Sequence, residues 1–166
     1  MNLIKQNLLG LVGLMILCAG IVLPQGIAQN FCNVVGISAL IVYAFLGKND
    51  FFFYLEIVVL IGTIMKIFNV ETTLMFAVLI IATIISFAII FRNPIYRSWD
   101  IIFGVVGISG LIYGYATLSN YGYAIGGLAT IVYSLIGFSK GIKSALVFAL
   151  LNTIYSALAI YMIISH

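Results

Sequence analysis

Charge is what this sequence has least of. Its 166 residues include 7 Lys or Arg and 4 Asp or Glu. Soluble domains carry about 25% charged residues, so 7% charged against 64% hydrophobic excludes an ordinary soluble fold. Histidine occurs once, as the terminal His166, and the two cysteines, Cys18 and Cys32, form no Cys-x-x-Cys. The parts for hydrolytic or metal-dependent chemistry are therefore missing. No catalytic residue, metal or cofactor is expected, and the chain is not expected to be an enzyme. The net charge of +3 is scattered over short loops, which excludes a nucleic-acid surface. Proline occurs twice and tryptophan once, so long helices run with few breaks.

What is present is a series of apolar runs of membrane length. Residues 72–91 form twenty positions without charge, Pro or Gly. At about 1.5 Å per residue they cover roughly 30 Å, the thickness of a hydrocarbon core. Six further helices are expected over residues 7–23, 31–47, 51–68, 99–117, 121–138 and 144–165. Pro24-Gln25-Gly26 stops the first, and Arg92-Asn93-Pro94 ends the helix at 72–91. The connecting loops are short, so helices adjacent in sequence are expected to be adjacent in space. Lys5 before an apolar stretch resembles a signal peptide, but no convincing cleavage site follows, and residues 7–23 are read as a permanent span.

Residues 11–67 also align without a gap on residues 101–157. Eleven positions are identical, among them Gly20/Gly110, Asn30/Asn120, Gly36/Gly126, Tyr43/Tyr133 and Thr63/Thr153. The clearest stretch is Ile41-Val-Tyr43 against Ile131-Val-Tyr133. This pattern reads as an internal repeat of three helices. An odd number of crossings would invert the second copy, and the helix at 72–91 restores its direction. The expected fold is all-α and integral to the membrane: seven transmembrane helices, as two parallel three-helix repeats (1–69 and 99–166) joined by a linker helix and loop (70–98).

Lys5, Lys48, Arg92, Arg97, Lys140 and Lys143 then fall on one side and Lys66 alone on the other. The Lys/Arg excess marks the cytoplasmic side. The expectation is a multi-pass protein of the cell inner (plasma) membrane with its N-terminus inside and His166 outside. The expected partners are the lipid bilayer and a small-molecule solute, without nucleic acid; a homo-oligomer is left open.

Glu56 is the most informative residue. A carboxyl about a turn and a half into an apolar helix costs a few kcal/mol to insert and faces a cavity or a partner. Its readings are a solute site, a structural pair with Lys48 or another helix's donor, or a neutral acid hydrogen-bonded in the core. Asn152, midway along the last helix, either contacts a ligand or ties helices together. Tyr43 and Tyr133, related by the repeat, either face one another across a central path or pack with one hydrogen bond each. Asn30 and Asn120 are expected to cap helices. Glycines at 104, 107, 110 and 114 share one face of the fifth helix, for close packing or as a hinge.

Parallel three-helix repeats around a linker are a transporter plan, with the solute bound near mid-membrane. The arrangement resembles the SWEET sugar transporters and the PnuC vitamin transporters. Pro24-Gln25 is similar to the Pro-Gln pair of the PQ-loop superfamily. Asn33-Val-Val-Gly36-Ile-Ser-Ala-Leu-Ile-Val-Tyr43, Tyr54-Leu-Glu56 and Trp99-Asp100 resemble PnuC helices. PnuC proteins bring several Trp residues to their substrate, whereas Trp99 is the only Trp here, and Gly114-Tyr115 stands where a second Pro-Gln would fall. The resemblance implies facilitated diffusion of a vitamin precursor such as nicotinamide riboside, with a SWEET-like sugar carrier and a non-transport scaffold or accessory subunit as rivals. The expected solute-binding residues are Glu56, Asn152, Tyr43, Tyr133, Asn33 and Gln25.

Overall fold

The computed structural model describes residues 3–23, 26–117 and 119–165; the side chains of residues 3–7 and 21–22 are likewise outside the description. Seven α-helices follow one another: α1 (Leu3–Val22), α2 (Ile27–Leu46), α3 (Asp50–Ile67), α4 (Thr72–Ile90), α5 (Ile101–Thr117), α6 (Asn120–Ser139) and α7 (Ala145–Ile164). A 3-10 turn, Pro94–Tyr96, precedes α5. No strand occurs among the described residues.

Most boundaries fall within a few residues of expectation, and the differences have local causes. α2 begins at Ile27 behind Gly26, so Asn30 lies inside its first turn and does not cap it. α6 is capped by Ser119, whose side chain accepts from the Gly122 N–H, and Asn120 is the first helical residue. Trp99 and Asp100 sit in a turn before α5 rather than within it. The α2 and α3 ends are closed by residues in the left-handed region, Lys48 (φ 52°) and Asn69 (φ 51°).

Four helices, α2, α4, α6 and α7, are long and apolar enough to cross a bilayer. The apolar parts of α1 and α5 are shorter, and α3 carries Asp50, Glu56 and Lys66. The surface is inverted relative to a soluble protein. Phe31, Phe45, Ile84 and Trp99 are all more than 60% exposed, while Glu56, Thr63, Thr130, Ser134, Asn152 and Ser156 are buried. Large apolar side chains cover the exterior, while small and polar ones are buried among an apolar core, an arrangement for packing helices in lipid.

Each helix packs on its successor, as the short loops require, and α1 also packs on α7, closing a ring. α3 reaches α5 directly, which leaves α4 outside the seam between them. The helix that divides the sequence is therefore peripheral in space. The tightest seam joins α5 to α6. A Cβ on Gly110 would lie 2.7 Å from the Gly126 Cα, and one on Gly126 would lie 2.5 Å from the Leu111 N. The glycine stripe of α5 is thus a packing face against α6, with backbone meeting backbone.

Candidate functional site

The interior is built on α3 and α7, which run in the same direction and line the same central space. Along α3 the inward series is Phe52, Glu56, Val59, Thr63 and Lys66; along α7 it is Phe148, Asn152, Tyr155, Ala159 and Met162. Both advance by four, three, four and three residues, the spacing that keeps side chains on one helical face.

An aromatic floor closes the end nearer Lys140. Phe52 and Phe148 stack with centroids 4.0 Å apart and planes 4° from parallel. Tyr43 adjoins Phe148 at 5.9 Å, and Phe51 adjoins Tyr133 at 4.1 Å and Phe52 at 5.1 Å. Glycines make room for the rings: a Cβ on Gly104 would meet the Phe51 ring at 2.7 Å, and one on Gly10 the Tyr43 ring at 2.9 Å.

One turn above the stack, Glu56 and Asn152 line a cavity of about 40 Å³, together with Leu55, Leu111, Tyr115 and Tyr155. Glu56 is only 5% exposed. It makes no hydrogen bond or ion pair among the described residues, and Lys48 is exposed beyond the floor. The structural pair is therefore not made. Asn152 Nδ2 donates to the Phe148 carbonyl at 2.8 Å, leaving Oδ1 without a donor among the described residues.

Tyr115 and Tyr155 also line a second space of about 180 Å³ that opens toward Lys66. Its walls carry Gln29, Asn30 and Asn33 from α2, Thr63 and Lys66 from α3, and Asn120 and Tyr123 from α6. The two spaces adjoin at these tyrosines, with the polar vestibule on one side and the Glu56 carboxyl on the other. A still larger recess of about 560 Å³ lies on the outside of the bundle among exposed Leu135, Leu146 and Leu150, with no acid or amide in its lining.

Beyond the floor, polar ties hold the other end. Lys140 Nζ lies 2.7 Å from Asp100 Oδ1 and donates to Ser98 Oγ at 2.8 Å, while Ser98 Oγ also donates to Asp100. Burial raises the Asp100 pKa, but the bonds from Lys140 and Ser98 outweigh it and hold the carboxyl below its ordinary value. Asn49 Nδ2 donates to Ser144 Oγ at 3.2 Å, linking the α2–α3 turn to the start of α7. The Asp50 N–H donates to the Tyr96 hydroxyl at 3.0 Å. Burial and the Asp50 charge raise that phenol's pKa, with backbone bonds from Asp50 and Phe51 opposing them.

Of the six residues expected at a site, the fold brings Glu56 and Asn152 to one cavity and Asn33 to the vestibule above it. Tyr43 and Tyr133 do not line a shared path; they flank the aromatic floor, packed on rings. Gln25 lies outside the described residues. Sequence reasoning missed Tyr115, Tyr155, Tyr123 and Thr63. One signal for Tyr115 was present, since the ninety-residue offset sets it opposite Gln25.

The described residues are all-helical, with an apolar exterior and four helices long and apolar enough to cross a bilayer, which fits a helical membrane protein. No family model, curated protein or solved structure matches the chain.

Proposed function

We propose that this chain is a seven-span transporter of a small polar solute, built as two parallel three-helix units, α1–α3 and α5–α7, with α4 as the linker. The observation that carries this reading is a polar vestibule adjoining a cavity that holds an unpaired acid, with an aromatic stack one turn below. A scaffold needs no such opening, and an unpartnered Glu56 would only weaken it. The repeat gains support from the vestibule itself. Asn30 and Asn33 of α2 stand in the same cavity as Asn120 and Tyr123 of α6, their counterparts at the ninety-residue offset.

In this reading the N-terminus and the Lys140 end are cytoplasmic, in the cell's inner membrane, and the vestibule opens outward. The solute descends past Tyr115 and Tyr155 to Glu56 and Asn152. Parting of the Phe52–Phe148 stack, by rocking of one unit against the other, then releases it inward. The sequence carries no nucleotide-binding loop, so a gradient or intracellular trapping of the solute drives the movement. A vitamin precursor such as nicotinamide riboside is the solute we put first. Amides, tyrosines and one acid suit a ring-bearing, hydroxylated molecule.

The test is the melting temperature of the purified protein with nucleosides, vitamin precursors and sugars, in wild type and Glu56→Gln. A ligand that binds only the folded state raises it. Stabilisation by vitamin precursors that disappears in the variant is the expected result. Response to sugars alone would transfer the reading to a sugar carrier. A flat response in a cooperatively melting protein would favour the scaffold.

A further inference from the structure

We infer that Glu56 exchanges its proton for the positive charge of an organic ammonium solute, so that binding is coupled to proton release into the vestibule. This rests on the transporter reading and specifies what the acid does there.

The argument begins from charge balance. A carboxylate buried to 5% exposure is costly unless a positive group or several donors face it. None does so among the described residues. α1 offers the Cys18 thiol to this region, α5 Tyr115 and α7 Tyr155, none of them a cation. The Tyr123 ring of α6 lies behind Tyr115, 5.6 Å from it. The ionisable side chains of α2, Cys32 and Tyr43, do not line the cavity, and α4 contains no ionisable side chain. On α3 itself, Lys66 is ten residues further on, roughly 15 Å along the axis at 1.5 Å per residue. It stands at the wet mouth of the vestibule, where water and salt screen it over about 8–10 Å.

Two arrangements therefore satisfy the cavity. In one, Glu56 keeps its proton and is neutral. In the other, a cation occupies the cavity and compensates the carboxylate. Passing from the first to the second breaks the carboxyl O–H bond and sends the proton to vestibule water. No covalent bond to the cation forms, and the charge within the cavity rises by none.

The surroundings suit such a cation. The cavity of about 40 Å³ holds roughly three water-sized groups, at 10–15 Å³ for each. A trimethylammonium head with its attached methylene has five heavy atoms, so it fills this cavity only in part and extends past Tyr115 and Tyr155 toward the vestibule. Tyr115 and Tyr155 supply the aromatic walls that attract weakly hydrated cations. Asn152 Oδ1 supplies a neutral acceptor beside the acid. Phe52 and Phe148 close the base against water.

The experiment is calorimetric titration of the wild-type protein in detergent with choline and with its neutral carbon isostere, 3,3-dimethylbutan-1-ol. Choline should bind at least about tenfold more tightly than the alcohol, a difference of about 1.4 kcal/mol. Its affinity should rise with pH, by up to about tenfold per unit while the acid is protonated. Titrations in buffers of different ionisation enthalpy should report release approaching one proton per cation. Equal binding of the alcohol, choline binding without pH dependence or proton release, or no choline binding at any pH would each overturn the inference. All these readouts use the wild-type chain and do not depend on a variant folding. The failures remain distinct: a neutral solute that still raises the melting temperature preserves the transporter reading, whereas no response to any solute removes both.

Discussion

Phe52 and Phe148 stack face to face across the bundle, and each lies four residues before a polar side chain on its own helix, Glu56 and Asn152. One pair of rings therefore fixes both the floor of the cavity and the depth of its polar groups.

Truncating one ring tests this. Phe148→Ala removes a side chain with no exposed surface and takes one ring partner from each of Phe52 and Tyr43. Its expected cost is about 3 kcal/mol, in the range for Phe-to-Ala core changes. A lowered cooperative melting temperature checks it. In vesicles the variant should also leak solute that the wild type retains.

The α5–α6 seam should tolerate no added methyl group where backbone meets backbone. Gly126→Ala places a carbon against the Leu111 N and the Gly107 carbonyl. It should cost about 2 kcal/mol, as overpacking does. Gly137→Ala meets the Ala145 Cβ at 3.5 Å and the Ile142 Cδ1 at 4.0 Å, both ordinary contacts. It should be neutral or stabilising by up to about 1 kcal/mol, because Ala favours the helix. Unfolding of the two variants side by side separates close approach from a generic demand for glycine.

The Asp100–Lys140 tie should give stability an acid limb. The carboxyl's pKa in the folded protein lies below its ordinary 3.8. Its stabilisation is thus complete at pH values above 3.8 and is lost as pH falls through the depressed value. Asp100→Asn should lower stability at neutral pH by about 1–2 kcal/mol and flatten that limb. Melting temperature against pH, in wild type and variant, is the measurement.

Asn49 serves two partners, accepting from the Phe52 N–H at 3.4 Å and donating to Ser144 Oγ. Asn49→Ala should cost about 1–2 kcal/mol through loss of the cap and the cross-link. Asn49→Asp keeps the acceptor and should retain most of the cap's share. A double-mutant cycle with Ser144→Ala should give a coupling of about 0.5–1 kcal/mol.

Much of this was legible in the sequence. Apolar runs bounded by Pro24, Gly47 and Pro94 set the helices, and the short loops set their order around the ring. Glu56 and Asn152 stood out because polar groups are scarce in such runs. Their meeting was not legible. The repeat pairs Glu56 with Leu146 and Asn152 with Gly62, whereas the facing series on α3 and α7 is offset by ninety-six residues. Packing across the axis follows which side chains meet, and the large rings Phe52 and Phe148 set that register. The sequence left two readings open for Tyr43 and Tyr133, because symmetry of position says nothing about which surface a side chain faces. Their rings went to the floor, where Gly10 and Gly104 leave room.

The outlying position of α4 bears on how this protein can vary. Leu74, Ile80, Ile81, Ile84 and Ile85 face outward from it, and Met75, Leu79, Ser86 and Ile90 are its buried residues. Neither the vestibule nor the Glu56 cavity takes a side chain from it. Most of its lettering is therefore free to drift among oily residues, while its length is not. Exchanging one outward apolar residue for another should leave both spaces untouched, whereas shortening the segment would pull on the ends it joins.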